Sequence, residues 1–155
     1  MNQQQTPAPH PLMVPRLQWA AILLTTVTFF FLLQSDSIGD NSAEPNGLML
    51  PLTLVAAINW VLAWILPEFL LRAKIRKMSR PLDVRAAMMG PYPIFLILRL
   101  ALAESVCVLG FVLAQQSGRE TYYPFWAAGA LIMVLSFPRE LAIAEKFKAL
   151  SQKQG

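Results

Sequence analysis

The sequence predicts an all-α polytopic membrane protein with four transmembrane helices and a short C-terminal interfacial helix. Three observations carry that expectation. Of the 155 residues, 55% are hydrophobic, and the mean hydropathy is positive. Only 14% are charged, well below the roughly 25% usual in soluble domains. The apolar residues also gather into four long runs divided by polar stretches, which a soluble core in so short a chain has no room to hide.

Residues 1–15 (MNQQQTPAPHPLMVP) are rich in Gln and Pro and read as a disordered cytoplasmic tail. The tail has neither the basic start nor the cleavage site of a secretory signal, so no processing is expected. His10, the single histidine, stands there without a second metal ligand, and no metal site is expected.

A four-helix transmembrane domain is expected over 16–138. Its first span, 17–33, is close to the minimum length for a crossing helix. Thr25, Thr26 and Thr28 in that span can bond back to their own backbone and imply no site. A polar stretch, 34–47, carries Asp36, Asp40 and Glu44 without any Lys or Arg. The second span covers 48–71, with Pro51 in its first turn and Pro67 near its end, where proline kinks or loosens the last turn. After a basic loop and Pro91-Tyr92-Pro93 comes the third span, 94–114. A short polar turn leads to the fourth, 122–137, which stops or kinks at Pro138. In the amphipathic cytoplasmic tail, 139–155, Ile143, Phe147 and Leu150 share one helix face against Lys146, Lys148 and Lys153, the pattern of a helix lying among headgroups. No internal repeat relates the two halves.

Lys and Arg set the orientation. Arg72, Lys74, Arg76, Lys77, Arg80 and Arg85 lie between spans two and three, and Arg139, Lys146 and Lys148 follow span four. Such clusters are topology signals that face the cytoplasm and meet anionic headgroups or a partner. Both termini are therefore expected on the cytoplasmic side of a membrane, taken as a bacterial inner membrane, with 34–47 outside. The formal charge of +4 is accounted for in this way, and nucleic-acid binding is not expected. Trp19, Tyr92, Tyr122, Tyr123 and Trp126 sit near span ends, whereas Trp60 and Trp64 are expected inside the bundle.

Within the third span, Glu104 is the most informative residue. A carboxylate at bilayer depth costs a few kcal/mol or more unless it is paired, protonated or holding a cation, so it marks a site by default. Asn59 lies at a similar depth in the second span, and Ser105 places a hydroxyl beside the carboxylate. Asn59, Glu104 and Ser105 together could hold a proton, hydronium or small cation; equally, Asn59 could bond helices together while Glu104 stays protonated. Ala103, Cys107, Gly110 and Ala114 form a small-residue packing seam at spacings of four, three and four, for another helix of this chain or for a second subunit. Cys107 is the sole cysteine, so no intrachain disulfide can form. Arg99 lies about 140° from Glu104 around the helix. Its expected partner is Glu68, in a structural ion pair; the alternative is Glu104 of a neighbouring subunit.

The string Leu100-Ala-Leu-Ala-Glu-Ser105, followed by Gly110, Val112 and Ala114, resembles the carboxylate helix of the proteolipid (c) subunits of rotary F- and V-type ATPases. Arg80-Pro81 in the preceding basic loop is similar to that family's polar loop, though a few residues too far upstream. The resemblance covers about 15 residues firmly and about 65 loosely, around this helix only. It implies that Glu104 alternately binds and releases a coupling ion, with Ser105 at the hydroxyl position found in some sodium-binding members. The second span departs from the family: Trp60 and Trp64 stand where its glycine-rich repeat would be. Leu109 replaces a common tyrosine, and Val106 offers no side-chain ligand.

Two functions follow as expectations. One is a proteolipid-like subunit in an oligomeric, ion-driven assembly, with no cofactor beyond a bound H⁺ or Na⁺. The alternative is a non-catalytic accessory subunit packed against a larger membrane complex. A self-contained transporter is disfavoured by the missing duplicated half. With no catalytic triad, metal cluster or phosphate loop, no enzyme activity is expected.

Overall fold

The computed structural model describes residues 10, 12–34, 47–76 and 84–152, and it is all-helical over the elements that follow. They are α1 (Met13–Gln34), α2 (Met49–Arg76), α3 (Val84–Met89), α4 (Pro91–Ser117), a 3₁₀ turn (Arg119–Thr121), α5 (Tyr122–Leu135) and α6 (Glu140–Gln152). Among the described residues, α1, α2 and α4 are long and apolar enough to cross a membrane; α5, with 14 residues, is shorter.

α4 is the hub, packed by α1, α2 and α5. Of its most apolar window 39% is buried, against 11% for α1 and for α2, so the outer helices turn mostly apolar side chains outward. Leu24, Phe31, Leu50, Ile65 and Phe69 are all exposed. An apolar exterior on every flank suits lipid as the surrounding solvent, and would be a liability in water. The threonines behave as local chemistry requires: Thr25, Thr26 and Thr28 donate to the carbonyls of Ala21, Ile22 and Leu24 at 3.0, 3.2 and 2.9 Å.

Three apolar clusters stack along the bundle. At one end Leu12, Leu71, Ile75, Met88, Ile143 and Phe147 come together. The middle is built on Ala63, Leu96, Leu100, Ala103, Ile132 and Met133, with Trp60 and Trp64 against it, inside the bundle as expected. At the other end Leu33, Ala114 and Tyr122 pack with Phe30, Phe111 and Trp126. Tyr122 is fully buried there and so does not act as an interfacial anchor.

Several boundaries differ from the sequence expectation, each for a visible reason. α1 starts at Met13 rather than Leu17, because Leu12 is drawn fully into the first cluster and Pro15 is compatible with a first turn. Residues 1–9 of the expected tail lie outside the described residues. α2 continues beyond residue 71 to Arg76, since Leu71 and Ile75 form an i, i+4 pair buried in that cluster. The basic segment is thus helical at Arg72, Lys74 and Arg76, and again at Arg85 in α3; Lys77 and Arg80 lie outside the described residues. α6 turns Ile143 and Phe147 onto protein, where lipid contact was expected; its apolar face belongs to the fold's own core. The first cluster gathers the start of α1, the end of α2, α3 and α6 at one end of the bundle, and α5 returns the chain to that end.

Pro67 leaves α2 unbroken in its helical assignment. Its ring nitrogen has no hydrogen to give the carbonyl four residues back, at Ala63.

Candidate functional site

Glu104 lies midway along α4 and is partly exposed. At 100° per residue, Ile97 and Gln115 fall within about 20° of it, and both are exposed. The carboxylate therefore sits on the lateral surface of the bundle. It occupies the α1 flank: Leu100, one turn before, belongs to the cluster that α1 covers with Trp19, Ile22 and Leu23. Two turns beyond, the Phe111 ring meets Phe29 with centroids 5.5 Å apart. Among the described residues Glu104 has no hydrogen-bond or ion-pair partner.

Asn59 and Ser105 come together on the other flank, against α2. Asn59 Nδ2 donates to Ser105 Oγ at 2.9 Å, and Ser105 Oγ donates to the Leu102 carbonyl at 2.7 Å. Ser105 is about 100° from Glu104 around α4. The expected trio is thus split: two of its members form a helix-to-helix bond, and the third faces away. Replacing Asn59 by Ala should cost about 0.5–1 kcal/mol of stability, the usual worth of such a bond in a membrane, measured by unfolding in mixed micelles. A cost near zero would mean that lipid-phase alternatives satisfy Ser105 equally well.

Ala103, Cys107, Gly110 and Ala114 are all buried. Their partner is α5 of the same chain over most of the seam. A Cβ on Gly129 would overlap Cys107 Sγ and lie 2.7 Å from the Ala103 carbonyl oxygen; one on Gly110 would overlap the Phe125 side chain. Ala114 meets Leu33 and Tyr122. The close approach that small residues permit is consumed within the fold.

The Glu68–Arg99 pair forms, with Arg99 Nη2 at 3.6 Å from Glu68 Oε2. Glu68 Oε1 is also 3.6 Å from Arg72, one turn on in α2. Arg99 Nε donates to the Ala63 carbonyl at 3.2 Å, the acceptor that Pro67 leaves without its helical donor. The guanidinium also lies over the Trp64 ring, 5.8 Å from its centroid. One side chain of α4 thus closes a gap in α2, pairs with its carboxylate and covers its tryptophan. The rule that proline orphans the carbonyl four residues back was the signal for the Ala63 contact. Trp19 Nε1 donates to the Met133 carbonyl at 2.7 Å near the end of α5, a carbonyl that also accepts the Ser136 N–H at 3.2 Å.

Lys74 is exposed at the end of α2. Among the described residues, no group of three His, Cys, Asp or Glu side chains could hold a metal ion. Compared with protein-family models, curated proteins and solved structures, the chain has no match in any of the three.

Proposed function

We propose that this chain is a proteolipid-like membrane subunit whose Glu104 carries an exchangeable proton or small cation at a contact with a neighbouring subunit of an oligomeric, ion-driven assembly. One observation carries the reading: a carboxyl group midway along a membrane helix, on the lateral surface, with no partner among the described residues. A charged carboxylate there costs about 2.5–3.5 kcal/mol against insertion. The cost is relieved by protonation, by a bound cation or by a donor from another chain, and a group relieved in alternating ways is an ion-exchange site. The mechanism involves no covalent chemistry, only a change of charge at Glu104 as the group moves between environments.

The topology in this reading is four crossings with both termini on the side that carries the basic residues. α5 measures only about 21 Å along its axis; the non-helical residues 136–138 add up to about 10 Å more, which together match a hydrocarbon core of about 30 Å. The return of α6 to the end that holds Leu12 supports the same count.

A second reading, an accessory subunit docked on a larger membrane complex, is favoured by α2. Trp60 and Trp64 pack edge to face, 6.4 Å apart, against the hub, which leaves no smooth small-residue inner wall for a tight ring.

Carbodiimide labelling of the reconstituted protein, mapped by mass spectrometry, separates the two. Selective modification of Glu104 is expected, suppressed at high pH or by Na⁺, and Glu104→Gln should abolish it while changing stability by less than about 0.5 kcal/mol, as at a surface position without partners. An inert Glu104 at every pH would end the ion-exchange reading and leave the accessory one.

A further inference from the structure

At the basic end of the bundle a small cavity of about 40 Å³, its walls mostly apolar, opens between α2, α4 and the end of α5. Its walls include Glu68, Leu71, Tyr92, Phe95, Arg99 and Ser136. Ser136 is 5% exposed, and its Oγ is buried with no hydrogen-bond partner among the described residues. A buried hydroxyl without a partner is uncommon, and one in the wall of a charged cavity points to a ligand.

The charges define its class. Glu68 and Arg99, 3.6 Å apart, line the cavity and balance each other, and Arg72, 3.6 Å from Glu68 and outside the lining, adds one positive charge nearby. Arg99 spends Nε on Ala63 and Nη2 on Glu68, which leaves guanidinium N–H groups for an acceptor. Size agrees: with about 10–15 Å³ per water-sized occupant, the cavity takes roughly three or four oxygens, the complement of a single phosphate group. We propose that this cavity binds one phosphate group, with Arg99, Ser136 and Tyr92 as donors. The proposal is independent of the role of Glu104.

An anionic phospholipid headgroup and free inorganic phosphate share this chemistry. Basic pockets between membrane helices on the side of the positive loops suit the first, and the experiment resolves the source. The purified full chain in detergent is titrated with phosphatidylglycerol, with diacylglycerol, which has the acyl chains but no phosphate, and with phosphatidylglycerol in the presence of inorganic phosphate. Bound lipid is counted by native mass spectrometry. Phosphatidylglycerol should be retained and diacylglycerol should not. Ser136→Ala should weaken retention about tenfold, as expected for a lost hydrogen bond to a charged group, with melting unchanged because Oγ bonds nothing among the described residues. Lys74→Gln, outside the cavity, should leave retention within twofold. Competition by millimolar inorganic phosphate would assign the site to free phosphate, and its absence to the headgroup. Equal retention of phosphatidylglycerol by the unmodified protein, Ser136→Ala and Tyr92→Phe would overturn the proposal.

Discussion

Replacing Arg99 by Leu should destabilise the protein by about 3 kcal/mol, even though Leu suits a membrane helix better. Breaking a buried ion pair by removing one partner typically costs 3–5 kcal/mol, and this pair is only partly buried, its two side chains 21% and 26% exposed. Here Glu68 keeps Arg72 as a second partner, which places the effect toward the lower end. The Ala63 carbonyl adds its own share. It receives Arg99 Nε at 3.2 Å and has no helical donor, because Pro67 occupies the position that would supply one. This second share can be isolated. Pro67→Ala restores the missing N–H, so Arg99→Leu should cost about 1 kcal/mol less in that background, the typical worth of one hydrogen bond. The measurement is a double-mutant cycle by unfolding in mixed micelles. An identical cost in both backgrounds would show that the Ala63 contact contributes nothing. Stability unchanged by Arg99→Leu alone would remove the whole interpretation of Arg99 as the clasp between α2 and α4. Arg99→Lys should lie between, since an ammonium can pair with Glu68 but lacks the planar fork that reaches two acceptors at once.

This clasp was half legible in the sequence. Depth counting along two antiparallel spans sufficed to pair Glu68 with Arg99, because helical rise is uniform. Counting depth does not reveal azimuth, and azimuth decides the candidate site. Asn59, Glu104 and Ser105 share a level, yet only Ser105 turns toward α2. Which flank of α4 receives α1 depends on tertiary packing, such as Phe111 against Phe29, and no local pattern encodes it. Helix ends beyond the apolar runs were hidden for another reason. Hydropathy marks where a helix leaves lipid, not where it stops, so Ile75 among arginines and lysines read as loop although, with Leu71, it packs under Ile143 and Phe147. The same limit applies at Leu12, masked by a Pro-rich neighbourhood. Small-residue spacing on α4 was legible as a seam, and Ala127, Ala128, Gly129 and Ala130 of the fourth span as a surface that could meet it; that the same chain and not a second subunit closes it was not, because a seam specifies closeness and leaves the identity of the neighbour open.

Gly129 is the position where that closeness is tested most severely. In Gly129→Ala the new methyl group would meet Cys107 Sγ and, at 2.7 Å, the Ala103 carbonyl oxygen. The first obstacle is a side chain and the second is backbone, which yields only if α4 and α5 separate. Overpacking of this kind costs about 1–3 kcal/mol, and the backbone contact places Gly129→Ala at about 2 kcal/mol or more despite the better helix propensity of Ala. Cys107→Ala removes the sulfur, so the double variant should recover part of the loss; the Ala103 carbonyl keeps it from recovering all. Full recovery would mean that the sulfur alone sets the spacing. No loss in Gly129→Ala would mean that α5 docks elsewhere and that the seam of Ala103, Cys107 and Gly110 is open to another subunit. The outcome therefore reaches the functional question. If the seam is closed within the chain, assembly into a larger complex must use other surfaces, and the lateral flank that carries Glu104 is the one where a neighbour would meet an unpartnered carboxyl group.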